Sequence, residues 1–513
     1  MAYMLKPGTG WQDTYDRCTV VAPEAFHPDR TLNLWGGQWR RDGIASPSIT
    51  PVDGTPIIGP PRVSSDVADF AVRGSLDQHR AWRTTPLVER KARVLRALDA
   101  FTEHRDLLSM LLVWEIGKPW RLATADVDRC IEGVRWYVEE IDSMLRNRSA
   151  LDGPVSNIAS WNYPMSVLMH AVLVQVLAGN AAIAKTPTDG GVACLTLATA
   201  LAAREGLPVS LLSGSGSELS RPLVQSDTIG CLAFVGGRDV GGQLATALAN
   251  TDKRHILEQE GLNCWGVWGY DDWGRLQEQI RKTHDYAKQR CTAYPRFVVQ
   301  RELFSDFLRA YLPAVESVRF GHPLAVRNPD DELPALDFGP LIKAEKATEL
   351  RERVEEAVAR GGVPIYRGTL DSGTFLPGQD ASAYMAPVAL LSPPRSSPLH
   401  HSEPFGPVDT VVLVDTEAEL LAAMNASNGS LVSTISCKDE ETATRLAAEV
   451  RAFKVGINEP RSRGDKAEMF GGMGASWHGA FIGGELLVRS VTQGPGDDRL
   501  PGNFPSYSLF PAA

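Results

Sequence analysis

Val155-Ser156-Asn157-Ile158-Ala159-Ser160-Trp161-Asn162-Tyr163-Pro164 is the stretch on which the fold turns. Ser156 to Ser160 reads as a strand, and Pro164 suits the first turn of a helix, where its missing N–H would be unpaired anyway. Ala181-Ala182-Ile183-Ala184 is the next strand and Val192 to Glu205 the next helix. Val209 to Leu212, Gly230 to Phe234 and His255 to Leu257 continue the series. Short apolar strands alternating with helices specify an α/β fold, a parallel sheet with right-handed crossovers.

Outward from this core the pattern changes. Residues 1–60 are rich in Pro, Gly and Asp and read as an irregular arm with short extended pieces. Helical patterning begins near Leu87, with Val94, Leu95, Leu98 and Phe101 on one face. A second helical region runs from about Ala123 to Leu145. After Cys291 the alternation resumes with Phe297 to Val299, a helix around Phe304 to Val315, Val354 to Arg360, and Thr410 to Val414. A second α/β domain is therefore expected, as the 513-residue length also suggests. The tail beyond Gly494 holds four prolines and reads as an irregular arm.

Composition narrows the class. Hydrophobic residues make up 43% and charged residues 22%, ordinary for a globular enzyme. A net charge of −10 offers no basic field for a phosphate backbone, so no nucleic acid partner is expected. No run approaches the roughly 18 apolar residues of a spanning helix, and no secretory signal is read in Met1 to Gly8. Seven scattered cysteines (18, 130, 194, 231, 264, 291 and 437) include no C-x-x-C pair. That argues against a disulfide framework or zinc site, and for a reducing, cytoplasmic setting.

Generic motifs fail. Gly214-Ser215-Gly216 lacks a third glycine at the dinucleotide spacing, and neither G-x-x-x-x-G-K nor H-E-x-x-H occurs. His400-His401 has no spaced partners, so no metal is expected. Six segments carry the signal together. They are Trp161-Asn162-Tyr163-Pro164; Gly179-Asn180 with Lys185; Leu257-Glu258-Gln259-Glu260-Gly261; Gln289-Arg290-Cys291-Thr292-Ala293; Glu403-Pro404-Phe405-Gly406-Pro407-Val408; and Phe470-Gly471-Gly472. In order and spacing they resemble the motif set of the aldehyde dehydrogenase superfamily, across about residues 30–490.

The resemblance implies two Rossmann-like parallel-sheet domains, one for cofactor and one for catalysis, plus a small oligomerisation β element. The expected boundaries are 1–143 and 161–256 for the cofactor domain, with 460–480 returning to it, and 257–459 for the catalytic domain. Residues 144–160 and 481–498 would form the oligomerisation element, and 499–513 a C-terminal arm. It also implies a chemistry. An ordinary thiol has a pKa of about 8.5, so little is thiolate at neutral pH. Cys291 is the implied nucleophile, and the Asn162 amide with the Cys291 N–H would hold the oxyanion. One such donor is typically worth about 3 kcal/mol of barrier. Glu258 is the implied base that activates water against the thioester.

For the cofactor, NAD or NADP, the resemblance implies Trp161, Lys185, Thr188, Gly236, Gly237, Gly241, Glu403 and Phe405. Strand ends and helix N-termini are where such ligands sit in open α/β sheets. Tyr163, Ser166, Val167 and His170 are the implied substrate-pocket residues.

Four departures from the family pattern stand out. Thr188 replaces the acid that NAD-preferring relatives usually carry, leaving room for a 2′-phosphate, with Arg238 as a candidate phosphate partner. Gln259-Glu260 replaces Leu-Gly, adding an acid near the active-site mouth, and Gly237 replaces a serine. The stretch between Tyr137 and Trp161 is short, and Leu486 to Thr492 resembles the strand that pairs across subunits; a homodimer is expected rather than a tetramer. Ser166 and His170, four apart, either make a polar pocket wall or are buried and satisfied. The reading is an NAD(P)-dependent enzyme oxidising an aldehyde to an acid. The alternatives are a CoA-acylating semialdehyde dehydrogenase, a non-catalytic structural or binding paralogue, and a thiol esterase.

Overall fold

The computed structural model describes residues 2–249, 251–427, 429–496 and 498–504. Its larger sheet has nine strands, in the order Gly502–Asn503, Trp477–Ala480, Arg254–Gln259, Cys231–Gly236, Val155–Ala159, Ala182–Lys185, Val209–Leu212, Asn33–Trp35 and Gln38–Arg40. The five middle strands are parallel and the outer ones antiparallel. Ala182–Lys185 and Val209–Leu212 are buried along their whole length, as strands covered by helices on both faces must be. One buried polar pair against this layer is self-satisfying: Asn157 and Gln175 exchange two amide hydrogen bonds of 2.7 Å each.

Chain order reverses between Val155–Ala159 and Cys231–Gly236, since the strands after Val155–Ala159 build first to one side and then to the other. In open α/β sheets the crevice at the carboxyl ends of such a switch is where ligands bind. Trp161-Asn162 leaves one strand there and Gly236-Gly237 the other. The second sheet has seven strands, ordered Val363–Arg367, Val388–Leu391, Val408–Val414, Arg296–Gln300, Cys264–Val267, Val432–Ser436 and Lys454–Ile457. Only its Val363–Arg367 edge is antiparallel. Two Rossmann-like α/β units thus face each other.

Several boundaries differ from those expected. Val155–Ala159, assigned with 144–160 to the oligomerisation element, lies in the middle of the larger sheet, paired on both sides. Of the two segments assigned to that element, Ser149–Ala150 and Thr492–Gln493 pair with each other as a small separate sheet. Leu486 falls within a helix, Glu485–Ser490, because Leu486, Leu487, Val488 and Ser490 bury together against the fold. The supposed arm of residues 1–60 holds a helix, Trp11–Val21, and two strands of the larger sheet. That helix buries Trp11, Thr14, Tyr15 and Cys18, a stripe half polar in composition. Two further helices escape an apolar-stripe reading. Ser65–Trp82 buries mostly small residues, and Arg105–Ile116 is buried on all sides from Leu107 onward. Of the arm 499–513, Gly502–Asn503 pairs with Trp477–Ala480, while 505–513 lies outside the described residues. Among the described residues no helix is long and apolar enough to cross a membrane.

Candidate active site

The site begins where the chain leaves the switch point. Asn162 is buried; its Nδ2 donates to Gln289 O at 3.0 Å, and its Oδ1 accepts from Ser160 Oγ at 2.5 Å. Its amide therefore lies against the loop that carries Cys291. The next residues, Pro164–Met169, wind as a π-helix, with Leu168 N bonding back to Tyr163 O. A buried carboxylate pins this turn. Asp126 accepts from Ser166 N at 2.9 Å and from the Ser166 hydroxyl, and it pairs with Lys118 Nζ at 2.8 Å. Lys118 in turn lies 3.9 Å above the Tyr163 ring.

The wide π turn breaks the four-residue spacing that was to put Ser166 and His170 on the face of Asn162. Ser166 spends its hydroxyl on Asp126, and His170 packs edge-on to Tyr137 at 5.6 Å between ring centroids. Burial and the nearby cations Arg463 and Lys466 push the His170 imidazole down to about 4, so it is neutral.

Cys291 is presented by a strained loop. Tyr286, Ala287 and Lys288 all take left-handed conformations, with φ of 59°, 52° and 58°. Each costs about 1–3 kcal/mol for a residue other than glycine, so the surroundings must enforce it. Tyr286 OH donates to Ile116 O at 2.9 Å, and Lys288 Nζ reaches Asp409 at 2.5 Å and Tyr294 O at 2.9 Å. The Gln289 amide bonds Pro340 O and Ile342 N. Beyond the nucleophile, Asn263 Nδ2 donates to Cys291 O and Ala293 O, both at 2.7 Å. Both flanks of Cys291 are held by buried polar groups.

The other six cysteines are buried, and Cys291 is half-buried. Its Sγ donates to Glu258 Oε1 at 3.1 Å. Burial, and then the Glu258 charge, push the thiol well above its ordinary value. Glu258 is itself buried at the end of the Arg254–Gln259 strand, and Arg463 Nη2 lies 2.5 Å from its Oε2. Thiol, carboxylate and guanidinium are linked by successive contacts.

The cofactor-side residues line the same crevice. Gly237 precedes the helix Arg238–Leu248 and has open space where a Cβ would stand. Gly241 is packed: a Cβ there would sit 2.4 Å from the Gln259 side chain, so the Gln259 substitution and this glycine fit each other. Lys185 is buried, and its Nζ donates to Thr186 O at 2.9 Å. Thr188 is exposed. Trp161 and Phe405 meet edge-on at 6.0 Å. Glu403 is buried beside Glu260, and burial and that neighbour raise it well above the usual carboxylate range. Its Oε1 has no hydrogen-bonding partner among the described residues. A buried acceptor of this kind, an open helix N-terminus and a buried lysine suit the hydroxyls and phosphates of a dinucleotide. Arg238, the candidate phosphate partner, has its Nη2 3.3 Å from Glu260 O and 3.4 Å from Ser427 Oγ.

Sequence reasoning passed over Arg463, Asn263, Lys288 and Asp409. None stands in a motif segment; Lys288 lies three residues before Cys291, and the fold brings the other three toward that loop. A lysine and an asparagine within a few residues of motif segments were the sole trace of two of them.

Comparison with known proteins identifies the family and the fold. A profile of the aldehyde dehydrogenase family matches residues 39–493. Glutarate-semialdehyde dehydrogenase of Pseudomonas putida is 25% identical over 459 residues, covering 86% of this chain and 92% of its own. The 4-(hydroxymethyl)benzenesulfonate dehydrogenase of Comamonas testosteroni is 25% identical over 472 residues, 88% of this chain and 94% of its own. Among solved structures, NADP-dependent glyceraldehyde-3-phosphate dehydrogenase from Bacillus halodurans C-125, complexed with NADP, superposes with a TM-score of 0.80 at 23% identity, covering 90% of this chain and 98% of that one. With the profile matching most of its length, this chain belongs to the aldehyde dehydrogenase family.

Proposed function

We propose that the protein oxidises an aldehyde to a carboxylic acid with NAD or NADP, through a thiohemiacetal and then a thioester on Cys291. The observation that carries this reading is the Cys291–Glu258 hydrogen bond beside the buried Asn162 amide. Glu258 takes the thiol proton as Sγ bonds to the carbonyl carbon and the carbonyl π pair moves to oxygen. The Asn162 amide and the Cys291 N–H stabilise that oxyanion. When bound, the nicotinamide supplies the acceptor for the hydride that leaves the carbon, and the C=O re-forms as a thioester. Glu258 passes the thiol proton to solvent and then removes a proton from water as its oxygen attacks the thioester carbon; the C–S bond breaks, that proton returns to Sγ, and the acid departs. Glu403, Lys185, Trp161, Phe405 and the helix following Gly236-Gly237 would hold the cofactor. Tyr163, Val167 and His170 would wall the substrate pocket.

A buried carboxylate in contact with the nucleophile favours water over CoA as the thioester acceptor. The test follows nicotinamide reduction by absorbance over an aldehyde panel, with and without CoA, for wild type and Cys291→Ala. Turnover requiring Cys291 and indifferent to CoA is expected. Activity surviving in the variant, or strict CoA dependence, overturns the reading. Ester hydrolysis without any cofactor reduction would instead favour a thiol esterase. The same reading expects a cytoplasmic homodimer; light scattering tests the dimer, and a tetramer would refute it.

A further inference from the structure

We propose that Arg463 reads the substrate's charge: it holds Glu258 in the free protein and transfers to the acidic end of an aldehyde that carries a second, anionic group. The inference rests on the function proposed above and names the substrate class of that site.

Arg463 is built to change partners. Its side chain is 39% exposed while that of Glu258 is 2% exposed, so the guanidinium stands between the buried base and solvent. Its backbone is held from beneath, where Lys454 Nζ donates to Arg463 O at 2.9 Å. Lys454 and Arg461 both pair with Glu468, which fixes the loop on either side. The side chain has no comparable restraint. One Nη2 contact engages Glu258, and the guanidinium rests over the Phe470 ring at 4.8 Å. A guanidinium offers five N–H donors in a fork that matches a carboxylate or sulfonate, so most of its capacity remains.

The surroundings favour an anion at this point. His170 is neutral, Lys466 adds a positive charge, and Glu468 is already neutralised by its two partners. Glu258 has both of its oxygens taken, one by Cys291 and one by Arg463. Acylation of Cys291 removes the thiol donor from one oxygen, while Arg463 still holds the other. An incoming anion that captures the Arg463 fork releases it. Only one carboxylate separates Sγ from the guanidinium, which suits a chain of a few carbons between aldehyde and acid. Two relatives bear names that point the same way, a glutarate semialdehyde and a benzenesulfonate.

The experiment measures kcat/KM for 4-oxobutanoate and for butanal, which differ in the terminal carboxylate, in wild type, Arg463→Gln and Arg463→Lys, each checked for an unchanged melting profile. Wild type should prefer the acid, and Arg463→Gln should cut that preference at least about 30-fold, chiefly through KM. Arg463→Lys, keeping the charge without the fork, should fall between. Succinate should compete with butanal in wild type and not in Arg463→Gln. An unchanged preference in Arg463→Gln means that Arg463 serves Glu258 alone and overturns the proposal. A wild type that oxidises butanal and ignores the acid overturns it too, with the proposed function intact. Oxidation of neither aldehyde by wild type strikes the proposed function itself, and this inference with it.

Discussion

Cys291 Sγ and Glu258 Oε1 are 3.1 Å apart, with the thiol as donor, so nucleophile and base share one proton before any substrate arrives. The thiol is held in its neutral form by burial and by the adjacent negative charge. Replacing Glu258 with Gln removes that charge and should move the pH midpoint of Cys291 alkylation by iodoacetamide downward. At pH 7 the variant should react about 5-fold faster or more. An unshifted alkylation profile would show that the carboxylate does not control the thiol. Thioester hydrolysis should fall in the same variant, seen as acyl-enzyme accumulation by mass spectrometry.

Asn162 offers a different kind of test, because its role is confined to the reacting oxygen. Asn162→Ala should lower kcat by about 100- to 1000-fold. Cofactor affinity, measured by quenching of tryptophan fluorescence, should change little. Equal losses in both would mean that the Nδ2 contact to Gln289 O is a structural tie only.

How much of this was legible from sequence depends on whether the information was local. The strand–helix alternation from Val155 onward is local, since apolar runs and prolines announce it, and the sheets follow. The pairing of Cys291 with Glu258 was readable only through motif order; the contact between them is made by two sheets meeting. The π turn at Pro164–Met169 was not readable, because Asp126, forty residues earlier, pins Ser166 there. Arg463 was invisible for the same reason: 205 positions separate it from Glu258. The helix Arg105–Ile116 was missed because burial on every side erases periodicity.

The strained loop before Cys291 should prove sensitive to its buried ion pair. Lys288 and Asp409 have side chains 1% exposed, and His284 and Tyr311 crowd the same carboxylate. Asp409→Asn leaves a buried lysine without its counter-charge. Breaking such a pair from one side typically costs about 3–5 kcal/mol. Urea denaturation should show a loss of this order, and activity should fall with it as Tyr286 to Lys288 relax. A variant as stable as wild type would mean that Tyr294 O alone holds the lysine.

His170 sets an expectation for pH. Its folded value is depressed to about 4, while an unfolded histidine titrates near 6.5. Between these values the unfolded chain binds the proton and the folded one does not, so stability must decline as pH falls from about 6.5 toward 4. His170→Gln, which cannot titrate, should flatten part of that slope in chemical denaturation. An identical slope would remove His170 from the account.

Thr188 sets an expectation for cofactor choice. Lys185 is buried, its ammonium lowered to about 8 by burial and by the neighbouring charge of Arg62, and it stands three residues before an exposed threonine. The nearby acid, Asp189, is drawn off by Lys343 of the other sheet's domain at 3.0 Å. No carboxylate at position 188 therefore opposes a 2′-phosphate, and Lys185 with Arg62 makes the local field positive. Wild type should accept NADP. Thr188→Glu puts a charge where a 2′-phosphate would lie, and a like-charge contact of this kind costs on the order of 10-fold or more in kcat/KM for NADP. NAD, with a free hydroxyl that a carboxylate can accept from, should be used as well as before or better. Steady-state kinetics with both cofactors decides the matter: strict NAD preference in wild type, or parallel changes for both cofactors in the variant, would place the determinant elsewhere than at Thr188.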